Sequence, residues 1–194
     1  MSGAVAKRQI ILDAAMRVFS AKGFHNAKIE EIAQEAEVGK GTVYEYFSNK
    51  EALFVEMLES AFHAYTEGLT QAVSAADGSS GRLHAMLKFS LSFIQQKQEL
   101  ARLMMEQPIG IPPRLKQSFA ALQRRIRQQV DDILQEGVER GELREHDRNV
   151  AVAMVMGTVY MFCRWEAQGR NKVSIEQISR QAVDLLIGGL QSSR

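Results

Sequence analysis

At 194 residues with 45% apolar side chains, the chain has enough material for a packed core and lies far from the disordered class. Its formal charge is +1, and the first fifty residues set seven Lys/Arg against six Asp/Glu. A bulk cationic surface is thereby excluded as the means of holding nucleic acid, so any such contact has to come from a few well-placed groups.

The first predicted helix runs from about Lys7 to Lys22, with Ile10, Ile11, Ala14, Ala15, Val18 and Phe19 as its apolar face. Lys22-Gly23 ends it, a cation in the last turn followed by glycine. Ile29, Ile32, Ala33 and Ala36 mark a second, short helix. Val38-Gly39 interrupts it, with glycine expected to supply a conformation other residues adopt poorly. A third short helix follows from Gly41 to Phe47, burying Val43 and Phe47 and turning Thr42, Tyr44 and Tyr46 elsewhere. Ser48 and Glu51 fit a capping box at the start of a long fourth helix that continues to about Ala75.

Asp77 to Gly81 reads as a break. Leu83, Leu87, Leu91 and Ile94 mark the next helix. A short apolar segment, Leu100 to Met105, precedes breaks at Pro108 and Pro112-Pro113. Leu115, Phe119, Leu122, Ile126, Val130, Ile133, Leu134 and Val138 describe one amphipathic helix over about 114–140, ended by Gly141. Asp147 or His146 precedes an apolar helix from Val150 to about Gln168, and Ser174 caps a last one from Ile175 to about Leu190. No strand-like alternation appears. The fold class is all-α, about nine helices, divided into a helix-turn-helix head at 1–50 and a body at 51–194.

Two short helices joined by a tight turn form a helix-turn-helix, whose second helix can enter a DNA major groove. The segments KGF (22–24), IEEIA (29–33), VGKGTVYEYF (38–47) and NKEAL (49–53) together resemble the TetR family of bacterial transcriptional regulators. The likeness is strongest over the first quarter of the chain; beyond it, length, helix count and the two apolar C-terminal helices carry it. Ala27-Lys28 depart from the family pattern, standing where many relatives carry Thr or Ser.

The resemblance implies a set of DNA contacts. Tyr44 and Tyr46 are placed to donate to phosphate or lie near base edges, and Thr42 to reach phosphate or a thymine methyl. Lys40 lies at the entry to the recognition helix, Gly41 permits close backbone approach, and Lys28 offers a charge in place of the missing hydroxyl. Lys50, at a capped helix start, is implied as a backbone contact. The alternatives are that Tyr44 packs on the first helix with its hydroxyl at the rim, and that the lysines are solvated. Glu30, Glu31, Glu35 and Glu37 read as a solvated face.

The family also implies a homodimer on a palindromic double-stranded operator, its two heads one DNA turn apart, about 34–36 Å. Ala151, Met154, Gly157 and Thr158, with Ala182, Leu185, Leu186 and Gly189, are its candidate interface; completing a monomer core is the alternative. Phe89, Phe93, Met104, Phe119, Tyr160, Met161 and Trp165 are candidate walls of an adaptable cavity for a small apolar or acyl-type effector. Ordinary core packing is the competing reading for each. Gly23-Phe24-His25 and the stretch from Gly157-Thr158-Val159 to Trp165 resemble the fatty-acyl-CoA-responsive members. Arg102, Lys116 and Arg164 are candidate partners for an acidic group on such a ligand, with a solvated surface position the favoured reading for each.

No enzyme signature is legible: there is no serine elbow, phosphate loop or dinucleotide fingerprint, and no cofactor is expected. His25, His63, His84 and His146 are scattered, although a metal-responsive regulator using His63 and His84, or one responding to a cationic drug, is an alternative. A helical protein-interaction module is another, and leaves Tyr44, Tyr46 and Lys50 unexplained. The single cysteine, Cys163, excludes an intramolecular disulfide. No segment reads as long enough or apolar enough to span a bilayer, and no signal peptide is seen, so a cytoplasmic protein without membrane attachment is expected.

Overall fold

The computed structural model describes residues 3–98, 112–169 and 172–190, with side chains to residue 188. Eight helices and no strand occur among them: α1 Gly3–Asn26, α2 Ile29–Glu35, α3 Lys40–Tyr46, α4 Lys50–Ser74, α5 Gly78–Gln96, α6 Pro113–Glu139, α7 Arg148–Ala167 and α8 Ile175–Leu190. The short segment from Leu100 to Met105 lies outside the described residues. The chain forms two compact units, one of Met1–His63 with Arg102–Phe119, the other of Ala64–Ala101 with Ala120–Arg194.

In the first unit, Ile11, Ala14, Ala15 and Phe19 of α1 are fully buried, together with Ile32 of α2 and Leu53 of α4. Each such large apolar side chain contributes roughly 1.5–3 kcal/mol relative to exposure. Phe19, Phe24 and Phe54 form an aromatic cluster with ring centroids 4.8–5.9 Å apart. Ile10 departs from the expected face: it is 50% exposed, and Leu12 is buried instead. Gly23 lies at φ 74°, ψ 165°, a left-handed value that breaks the helical path three residues before α1 ends. The first turns of α6 belong to this unit. Arg114 grips the Glu59 carboxylate at 3.1 and 2.6 Å, and Ser118 donates to it at 2.7 Å. Burial pushes the Glu59 carboxyl up, but those hydrogen bonds outweigh it and hold the group below its ordinary range.

The start of α4 corrects the predicted cap. Asn49, not Ser48, provides it, its Oδ1 accepting the Ala52 N–H at 2.8 Å. In the second unit, α5 packs against α7 and α8. It begins at Gly78, inside the stretch that reads as a break. The reason is distant in sequence: the Glu142 carboxylate accepts the Ser79 N–H at 2.6 Å and serves as a cap the local residues lack. Asp147 caps α7 by accepting from the Val150 N–H at 2.9 Å, and Ser174 accepts the Gln177 N–H at 3.3 Å at the start of α8.

One expectation about polarity is corrected. Helix α7, 20 residues with a mean hydropathy of 1.2 in its most apolar stretch, has the length and composition to cross a membrane. Its apolarity runs round the helix: Ala151, Val152 and Val155 face the core while Val150, Met154, Tyr160, Met161 and Trp165 are 44–57% exposed. Cys163 lies on its inner side, where burial pushes the thiol up to about 12.

Candidate functional site

The α2–α3 motif turns through an unexpected residue. Gly39 has φ −69°, ψ 148°, extended backbone open to any residue, whereas Glu37 carries the left-handed φ of 53°. A Cβ on Gly39 would meet only Thr42 Oγ1, at 3.9 Å, and one on Gly41 would meet nothing within 4 Å. These glycines are therefore not needed by the turn. They leave the start of α3 bare.

Val43 and Phe47 point inward at 1% and 2% exposure. Tyr44 is 46% exposed, Thr42 and Tyr46 are half-buried, and Lys40, Gly41 and Lys28 are exposed. Lys40 and Tyr44 thus lie on one flank of the buried Val43–Phe47 line and Thr42 and Tyr46 on the other, and all four side chains are capable of donating to phosphate. Lys40 is not idle in the isolated protein. Its Nζ lies 2.6 Å from Glu30 Oε1 and 5.9 Å from the Tyr44 ring centroid. The other acids of α2 behave alike, Glu31 holding Lys22 at 3.0 Å and Glu35 holding Arg17 at 2.5 Å. Hydrogen bonds from Lys40 and Lys22 keep the Glu30 and Glu31 carboxyls below their ordinary range. The face that reads as merely solvated is a row of carboxylates neutralising the head's own cations.

Lys50, the first residue of α4 as the sequence places it, is engaged within the protein itself. Its ammonium donates to the carbonyls of Phe24, His25 and Ala27 at 2.8, 3.2 and 3.1 Å and lies 4.8 Å from the Phe24 ring centroid. Arg8, which the sequence does not single out, binds Glu56 through two hydrogen bonds of 2.5 Å and donates to the Tyr46 carbonyl at 3.3 Å. Its guanidinium also lies 4.7 Å from the Phe47 ring centroid. The end of α3 is thereby tied to α1 and α4.

The candidate effector residues separate. Phe89 and Phe93 of α5 surround Tyr65, at centroid distances of 5.7 and 5.1 Å. The Tyr65 hydroxyl lies 2.8 Å from Ser90 Oγ, and burial raises its pKa. Phe89 presses so closely on Gly68 that a Cβ there would sit 2.5 Å from the ring. Phe119 packs in the first unit, 6.1 Å from Phe62. Met104 and Arg102 lie outside the described residues. Tyr160, Met161 and Trp165 are 55%, 47% and 44% exposed on α7, so they do not line an enclosed cavity in the single chain. Lys116 and Arg164 are exposed, the latter 3.4 Å from the Tyr160 hydroxyl. Six of the eight candidate interface residues, Ala151, Met154, Thr158, Ala182, Leu185 and Leu186, line an open groove of about 690 Å³ between α7 and α8, with Arg144, Glu145, His146, Asp147 and Val150 also lining it.

The family model described as "Bacterial regulatory proteins, tetR family" matches residues 11–57, and that described as "Tetracyclin repressor-like, C-terminal domain" matches residues 76–190. The chain belongs to the TetR family. It is similar to the fatty acid metabolism regulator protein of Bacillus subtilis, 25% identical over 190 residues that cover 94% of each chain. It is also similar to the transcriptional repressor KstR2 of Mycolicibacterium smegmatis, 22% identical over 191 residues covering 97% of this chain and 93% of that one. The crystal structure of FadR from Bacillus subtilis in complex with stearoyl-CoA shares the fold, with a TM-score of 0.78 at 24% identity over 94% of this chain and 99% of that one.

This TetR-family chain is a DNA-binding, ligand-responsive transcriptional regulator, and its relatives are regulators rather than enzymes. The features of the first unit that the sequence does not show are Arg8, Glu56 and Glu37. The first two are an ion pair 48 residues apart with no local pattern, and the third is a turn conformation that neighbouring glycines disguise.

Proposed function

We propose that this TetR-family regulator is a cytoplasmic homodimeric repressor that holds a palindromic operator through α3 and is released by a long-chain acyl effector. The observation that carries the DNA reading is the outward side of α3, where exposed Lys40, Gly41 and Tyr44 stand with half-buried Thr42 and Tyr46. Residues 1–50 serve as the reading head, with Lys28 as a further phosphate partner. Residues 51–194 bind the effector and dimerise.

Support for the dimer comes from the apolar stripe of Val150, Met154, Met161 and Trp165 on α7, beside Leu185 of α8 at 82% exposure. Their helical spacing puts Met161 and Trp165 on that face, reassigning them from cavity wall to interface. Support for the acyl effector comes from similarity to the fatty acid metabolism regulator protein and to FadR bound to stearoyl-CoA. In this reading Phe89 and Phe93, beside Tyr65, meet the acyl chain.

The test is selection of bound duplexes from random DNA by the full chain. A palindrome should emerge, binding two chains, and Tyr44→Ala should weaken it about tenfold or more while leaving the helical content unchanged. Recovery of no sequence preference, or parental affinity in Tyr44→Ala, contradicts the reading.

A further inference from the structure

Granted that α3 reads DNA, we infer that Lys50 is a positioning residue that fixes the helix-turn-helix on the rest of the head, and not a phosphate ligand. An ammonium has three N–H groups diverging from one nitrogen. Here three carbonyl oxygens, of Phe24, His25 and Ala27, lie within 3.2 Å of it. Every donor has a protein acceptor, and the Phe24 ring closes one side of the cation. A phosphate can accept a hydrogen bond from Lys50 only if one of these bonds is given up.

The acceptors explain what the contact accomplishes. Gly23 breaks the path of α1, and Phe24 and His25 follow that break at its C-terminal end, where carbonyl groups run out of intrahelical partners. Ala27, 2% exposed, is two residues before α2 begins. Lys50 itself is the first residue of α4, just beyond α3. One side chain therefore joins the segment entering α2 to the segment leaving α3, and brackets the whole motif. Arg8 makes the matching tie at the Tyr46 carbonyl. With both ends held, the angle at which α3 is presented is fixed before DNA arrives, and small displacements of such a reading surface are costly.

Charge alone cannot replace this contact. A guanidinium is a planar fork and does not converge its donors on three carbonyls gathered around one point. Lys50→Arg keeps the charge a phosphate would need and loses the geometry the strut needs, which separates the two roles. The experiment measures affinity of the full chain, parent, Lys50→Arg and Lys50→Met, for a duplex selected from random DNA by the parent, across a salt series. The strut predicts that both variants lose affinity to a similar extent, about tenfold or more. It also predicts that the slope of log affinity against log salt stays at the parental value in both. Parental affinity in Lys50→Arg, or a slope smaller by roughly 0.9 in Lys50→Met, is the signature of a phosphate contact and overturns the inference.

A second measurement needs no variant. In the ¹⁵N-lysine-labelled parent, the Lys50 ammonium, assigned through its own side-chain carbons, should show slowed proton exchange in the free protein and keep its shift when the duplex is added. An ammonium that exchanges freely without DNA, or moves on adding it, contradicts the strut. If the parent selects no duplex, the DNA reading fails, while the exchange rate in the free protein still decides the strut.

Discussion

Lys40 shows how a neutral head can still bind an anion. Its ammonium is held by Glu30 at 2.6 Å, with both side chains more than half exposed. Exposed ion pairs are weak and easily exchanged, so a phosphate can displace the carboxylate, but Glu30 competes for the same cation. Glu31 and Glu35 compete similarly for Lys22 and Arg17. Removing one competitor should therefore strengthen DNA binding without touching the reading face. Glu30→Gln is expected to raise affinity for the selected duplex by about two- to fivefold at low salt, the gain shrinking as salt screens it. Anisotropy titrations at two salt concentrations check this; unchanged or weaker binding at low salt counts against Glu30 as a competitor. The sequence displayed the acids but not the pairing, because Glu30 and Lys40 meet only once α2 and α3 are folded against each other. Tyr44 was legible for the opposite reason: its exposure follows directly from Val43 and Phe47 occupying the inward positions of the same short helix.

Among the elements, those with a strong apolar period were read closely. Helix α8 begins and ends where the sequence places it, and α6 differs by a residue at either end. Elements whose limits depend on distant groups were not. The beginning of α5 in a Gly-Ser stretch depends on Glu142, 63 residues away, and Glu37 rather than Gly39 takes the left-handed backbone of the motif turn. The expectation that no segment is long and apolar enough to span a bilayer fails at α7, where an outward apolar face adds to the core face, and only folding shows which residues lie on each. That outward face belongs to α7 and α8 together. Leu185→Glu sets a charge on the most exposed apolar side chain of the pair, where nothing in the single chain is buried by it. The variant should keep its helical content and thermal midpoint at high dilution but shift from dimer to monomer in sedimentation at micromolar concentration. A dimer with parental dissociation would remove α7 and α8 from the interface.

For the whole molecule, regulation requires that occupancy of the body alter what the head presents. Helices α4 and α6 each contribute residues to both compact units, α4 passing from one to the other between His63 and Ala64 without a break. The first turns of α6 are fastened to α4 by Arg114, Ser118 and Glu59. Tyr65 and Gly68 lie in the part of α4 that belongs to the second unit, with Phe89 against both and Phe93 against Tyr65, so any displacement of the Phe89 ring is felt by α4. A ligand can shift the equilibrium only by its differential affinity for the two conformations, and reciprocally DNA must weaken the ligand by the same factor. The most direct measurement is the affinity of the full chain for its selected palindrome with and without stearoyl-CoA, with coenzyme A alone as the control. Release by stearoyl-CoA, by about tenfold or more in affinity and not by coenzyme A, is the predicted result. Equal affinity in all three conditions would contradict the account of an acyl-responsive repressor.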